Sequence, residues 1–257
     1  MPKPITQAAL LAALLPAFYP VHLAAQDSEI HIFCSNGFRA AMKKLVPPSE
    51  PAFGHPVKIQ FGPSATFKHA IETGEAFDLT ILSAQVIQDL TKEGKIAAGT
   101  GVDLASTGIG FAVRAGQPKP DVGSPQAIKR TLLNAKSIGY VKVGAGTPAI
   151  LDMLNGLGIS QDLQSKTVFQ PGAEQSMANV ADGKVAVALA LISEILSVSG
   201  VQLAGPLPPE YQKRIVMSAG IAASTKNREV ANQIIKKLTS PAAAPAIKAA
   251  GMDPITK

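Results

Sequence analysis

Three short segments of this chain combine hydroxyl or amide side chains with glycine and proline where an apolar run gives way to an amphipathic one. They are Ser35-Asn36-Gly37, Gly62-Pro63-Ser64-Ala65-Thr66 and Gly144-Ala145-Gly146-Thr147-Pro148. A segment of this kind, ending a strand and beginning a helix, offers backbone N–H groups with no intrahelical partner and the positive end of the helix dipole. That chemistry suits a small anion. Ser64 and Thr147 each stand where a hydroxyl either caps its own helix or turns to a ligand. The residues expected to contact the anion are Ser35, Asn36, Gly37, Ser64, Ala65, Gly146 and Thr147. Arg39, Lys68 and Lys142 lie within a few residues of these segments and are the expected charge partners.

Other chemistries lack their residues. The chain has no G-x-x-x-x-G-K-[ST] phosphate loop and no G-x-S-x-G nucleophile elbow. Gly108-x-Gly110 lacks a third glycine and follows no evident strand, which argues against a dinucleotide site. The four histidines form no H-x-x-H or His/carboxylate cluster, so no metal site and no cofactor are expected. Cys34 is the only cysteine; it excludes an internal disulfide and is expected to be a small buried apolar residue. No motif marks a catalytic residue, although Lys142 and Glu194 are possible bases. The formal net charge of +6 can steer anions toward a cleft. Scattered cations and the absence of Trp argue against a nucleic-acid surface.

The segments need elements to hold them, and the apolar pattern supplies these. Ile30–Cys34, Val57–Phe61 and Leu79–Leu82 are expected strands, alternating with helices over 38–45, 64–73 and 86–93. Such a βαβαβ unit makes its strands parallel with right-handed crossovers. A second unit follows: strands Ile109–Val113, Ile138–Val141, Val168–Gln170 and Val185–Leu189, with helices opened by Ser124-Pro125 and Thr147-Pro148 and another over 174–182. Ile215–Ala222 is an expected strand before helices over 228–238 and 242–250. In a parallel sheet the strand C-termini form the crevice where ligands bind, which is where the three segments fall.

Lys3, the Ala/Leu run Ala8–Ala17 and the small residues Leu23-Ala24-Ala25 have the pattern of an export signal over residues 1–25. No stretch is long and apolar enough to predict membrane insertion. The expected organisation is one lobe from 26–107 with 204–257 and a second from 108–203.

At Ile30–Phe38, Phe61-Gly62-Pro63-Ser64, Phe77-Asp78-Leu79, Gly183-Lys184-Val185-Ala186, Ser193-Glu194-Ile195 and Ala250-Gly251-Met252-Asp253-Pro254 the chain resembles the molybdate-binding branch of periplasmic solute-binding proteins. The resemblance implies a two-lobed type II α/β fold, each lobe a mainly parallel sheet flanked by helices, with a hinge of two crossing strands. It further implies a periplasmic monomer that closes on a small anion and serves an ABC permease. Molybdate-binding members carry serine where this chain has Gly37 and often tyrosine near Leu191, whereas Ser64 matches their second ligand serine. Each lost hydrogen bond to a buried charge costs about 1.5–3 kcal/mol. Two such losses weaken binding of a bare oxyanion by about a hundredfold or more, which favours a polycarboxylate. The branch also includes aconitate isomerase, implying an alternative: a cofactor-free allylic proton shift in the same cleft.

Overall fold

The computed structural model describes residues 29–255, so the export signal expected over 1–25 lies outside the described residues. β1 (Ile30–Ser35) is buried on both faces. Ile32 and Cys34 join one apolar cluster while Phe33 joins another, the signature of an interior strand covered by helices on each side. β1 pairs in parallel with β2 (Val57–Gly62) and β3 (Leu79–Ser83). Between these strands lie α1 (Arg39–Leu45), preceded by a 3-10 turn over Asn36–Phe38, α2 (Glu50–Phe53) and α3 (Ser64–Glu72). Phe67 of α3 stacks on Phe33 with ring centroids 4.7 Å apart, locking the helix to the sheet.

After α4 (Ala84–Lys92), β4 (Val102–Thr107) leads directly into β5 (Ile109–Arg114). The second unit continues through α5 (Pro125–Asn134), β6 (Ile138–Val141), α6 (Thr147–Gly156), β7 (Thr167–Gln170), α7 (Ala173–Ala181), β8 (Val187–Leu191), α8 (Ile192–Ile195) and β9 (Val201–Pro206). The chain then returns through β10 (Ile215–Ile221), α9 (Arg228–Leu238), α10 (Ala244–Ala249) and β11 (Asp253–Pro254). Two sheets result, ordered β11-β4-β10-β3-β1-β2 and β7-β6-β8-β5-β9. The protein is thus a mixed α/β molecule of two helix-flanked sheets.

Several expectations change. β4 and β9 carry no clear apolar signal: β4 is interrupted by Asp103 and Ser106, and β9 ends in Gly205-Pro206. Proline is tolerated in β9 because that strand is at the sheet edge. The expected lobe boundary at 203/204 falls inside β9, all of which belongs to the second sheet. β8 begins two residues later than expected because Val185 closes the α7 turn, its N–H donating to Asn179 O at 3.1 Å. Gly108 does follow a strand, but it opens another strand rather than a helix, so no dinucleotide loop forms. Cys34 is fully buried, and burial pushes its thiol pKa well up, as an inert packing residue requires.

The chain passes between the sheets at Gly108 and again over residues 207–214. Gln212 ties the two passages together. Its Oε1 accepts from Ile109 N at 2.8 Å, and its Nε2 donates to Ile109 O at 2.9 Å. Leu207 N also donates to Ile109 O, at 3.0 Å.

Candidate functional site

Each of the three segments is shaped by local hydrogen bonding. Pro63 adopts an extended conformation (ψ 143°) and serves as N-cap of α3, so Ser64 is the first helical residue rather than the cap. Its Oγ accepts from Ser83 N at 3.1 Å, tying the start of α3 to the end of β3. Thr147 is likewise not a cap; Gly146 holds that position. The Thr147 hydroxyl donates to Val141 O at 2.7 Å and accepts from Gly144 N at 3.1 Å, bracing the loop between β6 and α6. Both hydroxyls therefore do structural work beside the helix starts, and the capping expectation is corrected for both. Ser124 does cap α5, accepting from Ala127 N at 3.2 Å.

The segments converge on one cleft. Ser35, Asn36, Pro63 and Ser64 reach it from the first sheet, and Val141, Gly144, Ala145, Gly146 and Thr147 from the second. Ile150, Ala173, Leu189, Ala190, Leu191 and Glu194 complete the wall of this narrow gap. Gly37 and Ala65 are not part of this lining. Gly37 is buried behind it: a Cβ there would come within 2.5 Å of Met217 Cε and 2.9 Å of Leu191 Cδ1. Ala65 is exposed on the first turn of α3.

The expected charge partners separate. Arg39 lies beside the cleft rather than in its lining, its guanidinium 4.7 Å from the Phe61 ring centroid and its Nη2 donating at 2.8 Å to Oδ1 of Asn36, which does line it. Lys68 does not reach it. One helical turn beyond Ser64, its ammonium is paired with Glu72 and, at 2.9 Å, with Glu93, and these partners push its pKa up. Lys142 is exposed outside the lining, 5.9 Å from the Phe169 ring centroid. Both expectations are corrected.

Glu194 is the only ionisable group among the cleft lining residues. Its Oε2 accepts from Leu191 N at 3.2 Å. Burial raises its pKa to about 7, against the opposing pull of that hydrogen bond and of Arg39. A second, small cavity adjoins the cleft and shares Asn36, Ala173 and Glu194 with it. Arg39, Lys43 and Glu174 line this annex, and Arg39 Nη1 meets Glu174 Oε2 at 2.8 Å across the two halves of the molecule. Lys43 and Glu174 were not anticipated. The one legible signal was that Arg39 and Lys43 are four apart, hence on one helix face. Among the described residues no group of three or more His, Cys, Asp or Glu is placed to hold a metal ion.

Two helix-flanked sheets with amide-lined helix starts facing a shared gap define a class, and the sequence agrees. Residues 30–253 match the family described as bacterial extracellular solute-binding protein, and the chain belongs to that family. An aconitate isomerase from Pseudomonas sp is 27% identical over 250 residues, covering 95% of each chain. The molybdate-binding protein ModA of Azotobacter vinelandii is 26% identical over 234 residues, covering 89% of this chain and 91% of the relative. The solved periplasmic molybdate-binding protein of Azotobacter vinelandii superimposes with a TM-score of 0.73 at 20% identity, covering 87% of this chain and 98% of that one.

Proposed function

We propose that this protein captures a small polycarboxylate anion in its interlobe cleft, in the periplasm, and presents it to an ABC-type permease. The observation that carries this reading is the convergence of the Ser35-Asn36, Ser64 and Gly144–Thr147 segments on one cleft. Backbone N–H groups at the starts of α3 and α6 supply partial positive charge there without a metal or cofactor. The apolar wall at Leu189–Leu191 favours a carbon-based anion over a bare oxyanion. A side chain at position 37 would require the ends of the Met217 and Leu191 side chains to swing aside, and those apolar ends fill the space beside Gly37. Thermal unfolding tests the reading: di- and tricarboxylates raise the melting temperature more than molybdate or sulfate. A larger shift with molybdate overturns it.

One observation favours a second reading, an isomerase of the aconitate type. Glu194, with a pKa near 7, is poised to take and return a proton at neutral pH. In the shift, a base removes a proton from the methylene carbon, the double bond moves toward that carbon, and the proton returns to the former alkene carbon. The substrate re-forms in either geometry, and no oxidant or cofactor is consumed. A carboxyl on a cleft wall that holds the substrate supplies what this step needs. Incubation with trans-aconitate, followed by ultraviolet absorbance, tests it. Turnover that is lost in Glu194→Gln while binding persists supports the enzyme; saturable binding without turnover leaves the capture reading alone.

A further inference from the structure

The annex beside the cleft brings two cationic side chains of α1 to one place. Arg39 and Lys43 project from the same face of α1, their charged ends 4.7 and 5.7 Å from the centroid of the same Phe61 ring. Arg39 is held on two sides, by that ring and by Asn36 Oδ1, so its guanidinium is oriented before any ligand arrives. Lys43 makes no ion pair among the described residues. The one carboxylate that meets Arg39 belongs to Glu174, on the opposite half of the molecule, with a side chain 69% exposed. An exposed carboxylate of this kind is readily displaced, because its ion pair competes with water. The annex and the cleft are neighbours, with Asn36, Ala173 and Glu194 lining both, so a ligand that reaches past these side chains spans the two.

We propose that the cavity between α1 and α7 receives a second carboxylate of a di- or tricarboxylate ligand, held by Arg39 and Lys43, with Glu174 keeping the place of that group in the empty protein. This rests on the polycarboxylate reading of the cleft. An arginine presents parallel N–H donors that match a carboxylate edge, and the neighbouring ammonium adds charge without restricting orientation. Ligands with one carboxylate fill the cleft and leave the annex to Glu174. Ligands with two or more displace Glu174 and span both cavities.

Calorimetric titration with trans-aconitate, fumarate and crotonate, a tri-, di- and monocarboxylate, tests the subsite. Removing a charged hydrogen-bonding partner is worth about tenfold in affinity. Lys43→Gln therefore weakens trans-aconitate by about tenfold and leaves crotonate within about twofold, while Arg39→Gln weakens trans-aconitate at least as much. Glu174→Gln has the opposite sign: it tightens trans-aconitate several-fold, because the competing carboxylate is gone. A merely structural role for these side chains does not produce that opposition. Unfolding midpoints confirm that each variant is folded, and Lys43 is exposed enough to be replaced safely. If Lys43→Gln and Glu174→Gln both leave trans-aconitate unchanged, or alter crotonate equally, the subsite is disproved while the cleft reading stands. If the unmodified protein binds molybdate but none of the three carboxylates, both fall.

Discussion

Glu194 concentrates the chemistry of the cleft in one side chain, and its protonation leaves a mark on stability. Burial raises its folded-state pKa to about 7 from the ordinary glutamate value of 4.5, so the folded protein holds a proton that the unfolded chain releases. The stability associated with that proton is complete below about pH 4.5, is lost progressively as pH rises through 7, and changes no further above. Arg39 and Lys43 on α1 and Glu174 on α7 border the annex that Glu194 also lines, and Arg39 opposes the upward shift. In Glu194→Gln the titration is absent. The melting temperature of the variant relative to the unmodified protein therefore increases between pH 4.5 and 7 and is level above, as a set of thermal scans would record. A constant difference across that range contradicts the assignment. Gly37 is a second residue-scale case. Gly37→Ser drives a side chain toward the flexible ends of Met217 and Leu191, which can turn aside, so the loss is about 1 kcal/mol, at the low end for an overpacked core, measurable as a slightly lower urea midpoint.

At the scale of elements, the starts of α3, α5 and α6 look alike in sequence and differ in what their hydroxyls do. Ser124→Ala removes a true cap and costs about 1 kcal/mol, with no effect on ligand affinity because α5 is not part of the cleft. Thr147→Val leaves Gly144 N–H and Val141 C=O without a partner, costs about 1–3 kcal/mol, and also weakens ligand binding because the loop it braces lines the cleft. Denaturant unfolding paired with calorimetry separates the two. This contrast shows what was legible in the sequence. β1, β3 and β6 were evident because interior strands are continuous apolar runs, and β2, at the sheet edge, from the alternation of Val57, Ile59 and Phe61 with polar residues. β4 and β9 were not, since one is broken by polar residues and the other by a glycine and proline at the sheet edge. That Ser35, Asn36, Ser64, Gly146 and Thr147 would converge on one cleft was legible from strand-to-helix junctions, which are local in sequence. Lys68 and Lys142 were assigned by proximity along the chain, and α3 carries Lys68 a turn away toward Glu72. Glu174 meets Arg39 only because the two sheets face each other, a contact that no local pattern encodes.

Over the whole molecule, the two passages between the sheets limit how the cleft can open. Gly108 is a single residue between β4 and β5, while residues 207–214 form the longer return. Gln212 on that return grips both the N–H and the C=O of Ile109. A carboxylate has no donor for the Ile109 carbonyl, so Gln212→Glu breaks half of this grip, whereas an amide fits both needs. Two passages pinned at one residue resist sliding along each other; the motion left to them is rotation about the pin, like a pair of scissors. Spectroscopic labels placed on either rim of the gap, on α3 and α6, should therefore record two well-separated distances with few values between them. In Gln212→Glu the distribution should smear into a continuum, because the rivet has become a loose joint.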